Sequence, residues 1–205
     1  MRRTKEEAQE TRERILDAAE LMFFEQGVAR SSLEQIAKAA GVTRGAVYWH
    51  FRNKIAVLNA VVDRVRMPME NALYDMVETC DRLEDLETLC AEGFAETHRD
   101  PQIRRVYTIL LLKCEYTAET ADLIEREAEV RAKVLAALTR YFERLQAAGR
   151  LRSAGDPRLL AIGLHGFLVG LHVDFLRSPD LYRMPADAQR LVALYLDPLK
   201  RPAEG

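Results

Sequence analysis

Apolar residues recur at three- and four-residue spacing along nearly the whole chain, and no segment shows the strict alternation of a β-strand. Glycine and proline are sparse, with ten and seven residues in 205. This pattern predicts an all-α protein of about nine helices. We expect three helices in an N-terminal head, followed by a larger helical body.

Several local signals set the boundaries of the first helices. Gly27 follows the first apolar segment as a C-terminal stop, and Asn53 is placed to cap a long helix. Pro68 removes one backbone hydrogen bond from that long helix and is expected to bend or divide it. The first four helices are predicted at residues 5–26, 33–40, 44–51 and 54–79.

The segment from Ser31 to Phe51 contains two short helices joined by a tight turn. Ser32 and Thr43 are predicted N-caps, and Gly41 supplies the positive φ that such a turn needs. Two short helices joined in this way form a helix-turn-helix, whose second helix enters the major groove of DNA. An ordinary three-helix bundle without DNA binding is the alternative for the same spacing.

The second short helix carries side chains suited to DNA. Arg44 can read a guanine edge, and small residues beside it let the backbone approach the bases. Tyr48, Trp49 and His50 are consecutive, so they cannot all face inward on a helix. Lys54 opens the next helix, where its ammonium and the helix dipole act together on a phosphate. The predicted DNA-binding residues are Ser32, Thr43, Arg44, Gly45, Ala46, Tyr48, Trp49, His50 and Lys54.

The charge distribution is compatible with local contact to phosphates. The net charge is −2, but residues 1–54 carry ten Lys or Arg against eight Asp or Glu. A weakly basic head on an acidic body favours a local DNA contact over a globally cationic coat.

Other function classes find little support in the sequence. No secretory signal is apparent, so a cytoplasmic location is expected. Residues 159–176 are apolar but interrupted by His165, His172 and Asp174, which favours a buried core helix over a membrane span. The three cysteines are far apart and are expected to be reduced and packed, with a redox role for Cys114 left open.

Catalytic and metal chemistry are not indicated either. His165 and His172 lie two helical turns apart, about 10.5 Å, which is too far for both to bind one ion easily. No nucleophile elbow, phosphate-binding loop or zinc-protease motif occurs in the sequence. We therefore predict no enzyme activity, no metal and no cofactor.

Three segments resemble the TetR family of repressors, nearest to its AcrR-like subgroup that controls multidrug efflux pumps. They are residues 4–12, the helix-turn-helix with the preceding Gly27-Val28, and Lys113 to Tyr116. The resemblance implies a homodimer in which the eighth and ninth helices form the interface. Gly163, Gly166 and Gly170 would let a neighbouring helix approach closely.

The resemblance also implies a ligand cavity in each body. Polar positions of some relatives fall on Leu111 and Val169 here, so the cavity is expected to be more apolar. The implied ligand-binding residues are Val65, Met69, Leu86, Leu89, Cys90, Gly93, Tyr107, Leu111, His165, Leu168, Val169 and His172.

These expectations combine into one functional hypothesis and two alternatives. Residues 1–54, or about 10–70 with the connecting helix, would bind a double-stranded palindromic operator, and residues 55–205 would bind ligand and dimerise. An apolar small-molecule effector would release this repressor from DNA. The alternatives are a DNA-binding protein without an effector, and a helical enzyme or carrier.

Overall fold

The computed structural model describes residues 5–115, 120–152 and 155–201, and within them every side chain except those of Met67 and Pro68. The all-α class is confirmed, because these ranges contain helices and no strand. Thr4 and Tyr116, which belong to segments with the family resemblance, lie outside the described residues. The α-helices are α1 Lys5–Gln26, α2 Leu33–Ala39, α3 Arg44–His50, α4 Lys54–Thr79, α5 Leu83–Arg99, α6 Pro101–Leu112, α7 Ala121–Ala147, α8 Pro157–Arg177 and α9 Ala186–Leu196.

Local signals predicted the helix ends well. Gly27 stops α1 with a φ of 86°, and Asn53 caps α4 because its side-chain oxygen accepts from the Ala56 amide at 2.8 Å. Asp156 caps α8 through the Arg158 amide at 2.8 Å. Helix α4 runs unbroken from Lys54 to Thr79, so the helix is not divided at Pro68.

The chain packs into two compact units. The first unit comprises residues 1–66 and 102–126, and the second comprises residues 67–101 and 127–205. Helix α6 and the first turn of α7 therefore belong with the helix-turn-helix, although they follow it by about half the chain. Ion pairs and buried side chains account for this placement.

The first unit is built on one apolar core. Ile15 and Phe23 of α1 are fully buried there against Ile36 of α2 and Val47 of α3. Val106 and Ile109 of α6 and Leu123 of α7 fill the same core. Asp63 of α4 pairs with Arg126 of α7. Helices α3 and α6 thus share one hydrophobic interior.

The second unit has two neighbouring clusters. The larger one joins α4, α5, α7, α8 and α9 around the fully buried rings of Tyr141 and Phe142. The Tyr141 hydroxyl donates to the Arg82 carbonyl at 2.6 Å, which satisfies its polar atom inside the cluster. The smaller cluster forms around Phe94 and Phe175.

Helix α8 is apolar over most of its surface but is poorly buried. By length and composition alone it is the one helix among the described residues that could cross a membrane. Only 17% of its most apolar window is buried, so the expectation of a buried core helix is wrong. Leu159, Ile162 and Val169 are exposed along it. The apolar face of α8 is therefore largely left uncovered by the described residues of this chain.

Gly163 of α8 is a position where a side chain does not fit. A methyl group there would collide with the hydroxyl of Tyr195 from α9. The Tyr195 ring is stacked on Phe167 at 5.2 Å. A side chain at position 163 would therefore have to displace a packed ring.

We predict that Gly163→Ala lowers the free energy of unfolding by about 1–3 kcal/mol, as overpacked sites do. Tyr195→Phe, which removes the hydroxyl that the added methyl would meet, should restore part of the loss in Gly163→Ala. A urea-denaturation midpoint of Gly163→Ala equal to that of wild type would contradict the prediction.

Candidate functional site

The helix-turn-helix is fixed by caps and by one glycine. Ser32 forms a capping box with Gln35: its hydroxyl accepts from the Gln35 amide at 3.2 Å, and its own amide donates to the Gln35 side chain at 2.9 Å. Thr43 caps α3 by accepting from the Ala46 amide at 3.2 Å. Gly41 has a φ of 65°, as its turn requires. The predicted caps and turn are confirmed.

Helix α3 presents aromatic and cationic side chains to solvent. Trp49 is 73% exposed and Tyr48 is 47% exposed, while the His50 ring lies edge-on to Trp49 at 4.5 Å. Phe51, the next residue, is buried in the first core. Exposing large aromatic rings to water is unfavourable, so a group of them on a surface usually marks a binding site. The predicted outward position of at least one of these rings is confirmed.

Arg44 stands at the N-terminal end of this surface. Its guanidinium lies 3.5 Å from the Tyr48 hydroxyl and 5.4 Å from the centre of the Tyr48 ring. The hydrogen bond to Tyr48 raises the pKa of Arg44, whose guanidinium is a cation at any physiological pH. Gly45, next along the helix, is exposed, and Ala46 is half-buried. The backbone beside Arg44 is therefore open to a close ligand.

Two further cations flank this helix. The Lys54 ammonium lies 3.3 Å from the Ala29 carbonyl, beside the start of α4. Arg52, which was not among the predicted residues, is highly exposed and lies 3.8 Å from Asp122 of α7. The sequence contains a signal for Arg52 as an exposed cation of this surface. Arg52 directly follows the buried Phe51, and the chain must turn outward there.

The ligand residues predicted in the second unit lie mostly in or beside its cores. Leu86 is fully buried, and Leu89, Cys90 and Leu168 pack against the same cluster. A Cβ atom at Gly93 would lie 3.1 Å from the Met69 methyl group, so the Met69 side chain fills the space beside that glycine. Val169, in contrast, is exposed on α8.

Three titratable groups of this set have shifted pKa values. Burial lowers the pKa of His172, whose Nδ1 lies 2.8 Å from the Leu168 carbonyl and whose ring lies 5.1 Å from that of Phe94. Burial raises the pKa of Cys90 to about 12, which keeps its thiol protonated. Burial, followed by the charge of Arg131, lowers the pKa of His165. These groups are neutral near pH 7 and suit an apolar surrounding.

The remaining predicted ligand residues belong to the first unit. Val65 of α4 is buried in the first core, and Tyr107 of α6 packs against it. Leu111 is half-buried near the end of α6. The residues given by the resemblance are therefore divided between the two units, three in the first and nine in the second.

Two grooves occur elsewhere in the second unit, and neither is lined by a predicted ligand residue. One, of about 490 Å³, lies between α7 and α8, and the other, of about 400 Å³, lies at the start of α5. Among the described residues, no group of three His, Cys, Asp or Glu side chains is placed to hold a metal ion.

An all-α chain with a capped helix-turn-helix and a solvent-facing recognition helix defines a helix-turn-helix DNA-binding regulator. Comparison with known proteins gives the family. Residues 15–61 match the family described as bacterial regulatory proteins, tetR family. Residues 81–201 match the C-terminal region of MAATS-type transcriptional repressors. The chain therefore belongs to the TetR family, as the motif resemblance predicted.

Similar proteins extend over almost the whole chain. The transcriptional repressor BepR of Brucella suis is 35% identical over 208 residues, covering 99% of this chain and 98% of BepR. The crystal structure of NalD, the secondary repressor of the MexAB-OprM multidrug efflux pump in Pseudomonas aeruginosa, is 39% identical with a TM-score of 0.89. The match covers 96% of this chain and 99% of NalD. The SmeT–triclosan complex is 35% identical with a TM-score of 0.85, over 95% and 94% of the two chains; SmeT is the repressor of a Stenotrophomonas maltophilia efflux pump.

Proposed function

We propose that this protein is a cytoplasmic, homodimeric repressor that binds a palindromic operator, controls a multidrug efflux operon and leaves the operator when an apolar small molecule binds. The observation that carries the DNA-binding part is helix α3, with its exposed Trp49 and Tyr48 beside the Arg44 cation. The efflux target is supported by similarity to NalD and SmeT over most of the chain.

Operator contact is proposed to divide between residues that read bases and residues that hold phosphates. Arg44 lies at the N-terminal end of α3, where its guanidinium can form two hydrogen bonds with a guanine edge. Tyr48, Trp49 and His50 carry polar hydrogens on flat rings and suit phosphate and sugar contacts. Lys54 adds a cation at the start of α4, and a positive charge there favours a phosphate.

Dimerisation is supported by the uncovered face of α8. Leu159, Ile162 and Val169 recur at three- and seven-residue spacing on this helix, with Gly166 between them. Leu194 of α9 is also 73% exposed. An added methyl at Gly166 meets no described atom within 4 Å, so the face is open to a partner helix. A second copy of the chain would remove this apolar surface from water.

An apolar effector is supported by the surroundings of Met69. Its flexible thioether side chain fills the space beside Gly93, and methionine can adopt other rotamers at low cost. The protonated Cys90 thiol and the buried Leu86 lie in the adjoining core. A ligand with apolar rings would find few charged groups to desolvate there. Triclosan, the ligand in the SmeT complex, is a suitable probe.

We expect Arg44→Ala to weaken operator binding by about 1–3 kcal/mol and to relax the preference at one base pair, because a base contact is lost. Lys54→Ala and His50→Ala should weaken binding to all sequences, and loss of the Lys54 charge should reduce the salt dependence by about one unit. The measurement is fluorescence anisotropy with a duplex from upstream of the gene and with single-base variants. Arg183→Ala, an exposed cation of the second unit, is the control. Unchanged binding in all three variants would place the DNA surface elsewhere.

We expect Ile162→Glu and Leu194→Glu to convert the dimer into monomers, since each buries a carboxylate in the proposed interface at a cost of several kcal/mol. Leu21→Glu provides the control, because Leu21 is an exposed apolar residue of α1 outside that face. Light scattering at several concentrations gives the mass. A wild-type monomer that binds half an operator as tightly as the whole would refute the dimer.

The effector hypothesis is tested by pairing operator affinity with and without triclosan. We expect triclosan to weaken wild-type binding by about 10- to 100-fold, a common size of allosteric coupling. Leu111→Arg should keep its operator affinity and lose this response, because the family resemblance counts Leu111 among the ligand residues and a charge at that position opposes an apolar ligand. Leu181→Arg, at an exposed leucine, is the control.

Three other outcomes are informative. An unchanged response in folded Leu111→Arg would place the ligand elsewhere. Loss of operator binding without ligand would mean that Leu111 is an ordinary core residue. A wild-type protein that responds to no apolar compound would favour the effector-free DNA-binding alternative.

A further inference from the structure

Helix α1 buries a carboxylate. Glu20 is only 2% exposed, and burying an unpaired carboxylate costs several kcal/mol. Both of its oxygens are used by α6: Arg105 Nε donates to Oε1 at 2.7 Å, and Gln102 Nε2 donates to Oε2 at 2.8 Å. The charge is therefore compensated by two directional bonds to a helix more than 80 residues later.

A second contact holds the same two segments one turn further along α1. Lys113, directly after α6, donates from its ammonium to the Phe24 carbonyl. The same ammonium lies 5.0 Å from the centre of the Phe24 ring. We name the two contacts together the α1–α6 clamp, formed by Glu20, Phe24, Gln102, Arg105 and Lys113.

The α1–α6 clamp holds α1, the helix that shares its buried core with α3. Ala19 and Phe23, on the turns that surround Glu20, are fully buried in the core shared with Val47 of α3. Apolar contacts of this kind have no preferred direction and allow small sliding movements. The two hydrogen bonds of Glu20 do have a preferred direction. They select one register of α1 on α6, and α3 follows α1.

The opposite side of α6 carries two of the proposed ligand residues. Tyr107 follows Arg105 by two positions, and Leu111 follows the fully buried Ile109 by two positions. Ile109 lies one turn after Arg105 and so on the same side of α6. Two positions correspond to about 200° around a helix, so Tyr107 and Leu111 both lie on the side away from the clamp. One helix thus has the clamp on one side and, under the proposed function, the effector on the other.

We propose that Glu20 is a positioning residue for operator binding: its bonds to Arg105 and Gln102 fix the helix-turn-helix in one register on α6 and transmit displacement of α6 to α3. This inference rests on the proposed function. It predicts that apolar residues in place of the ion pair can preserve the stability of the protein but cannot preserve the orientation of α1 on α6. Matched apolar replacement of a buried pair is often neutral or stabilising.

The test is the double variant Glu20→Met with Arg105→Met, which keeps volume at the contact and removes the charges together. We expect its melting temperature to equal or exceed that of wild type. Operator affinity without ligand should nevertheless fall by about tenfold, and the loss of affinity caused by triclosan should shrink to below about threefold, against the 10- to 100-fold typical of coupled sites. Arg105→Lys, which keeps a cation opposite Glu20, should retain most of both properties.

An exposed ion pair of the second unit provides the matched control. Arg150 and Asp81 are 2.8 Å apart, and Arg150→Gln with Asp81→Asn should change neither operator affinity nor the triclosan response. If the methionine variant folds and binds the operator as wild type does, the clamp is purely structural and the inference fails. This basal measurement needs no effector. A wild-type protein that binds operator but ignores triclosan would instead overturn the effector part of the proposed function alone.

Discussion

Burial of one face of α1 is the constraint on which the first unit depends. Helices α2 and α3 have seven residues each, and isolated helices of that length are unstable in water. Their order comes from Ile15, Leu16 and Phe23, which are fully buried against them. At about 1.5–3 kcal/mol for each large side chain, this contact outweighs any propensity of the short helices. The position of α3 is therefore set by the core that it shares with α1 and α2.

The charges of α1 are arranged around the same constraint. Arg64 of α4 binds both Glu13 and Asp17, the latter at 2.7 Å, and Arg105 of α6 binds Glu20. Two cations from inside the unit thus pair with three acids on successive turns. This explains how a head with only a small net positive charge can present a cationic surface at α3. Net charge alone underestimates such a surface, because paired acids contribute little to the field outside.

The sequence predicted what local chemistry determines and missed what distant contacts determine. Ser32, Gly41 and Thr43 were assigned correctly because a cap or a tight turn depends on residues within four positions. The partners of Glu20 lie 82 and 85 positions away, and no local pattern encodes them. The division of the ligand residues between two units was unpredictable for the same reason. For α8, apolar composition is the same for a core helix and for a helix covered by a second copy.

The exposed indole of the recognition helix has one more consequence. Trp49 is the only tryptophan in the chain, and it is 73% exposed on α3. The intrinsic emission of the protein above the tyrosine band therefore comes from this helix alone. A polar nucleic-acid surface placed against the ring changes its solvent shell and hence its emission wavelength and quenching. The unlabelled chain thus contains an optical reporter at its recognition helix.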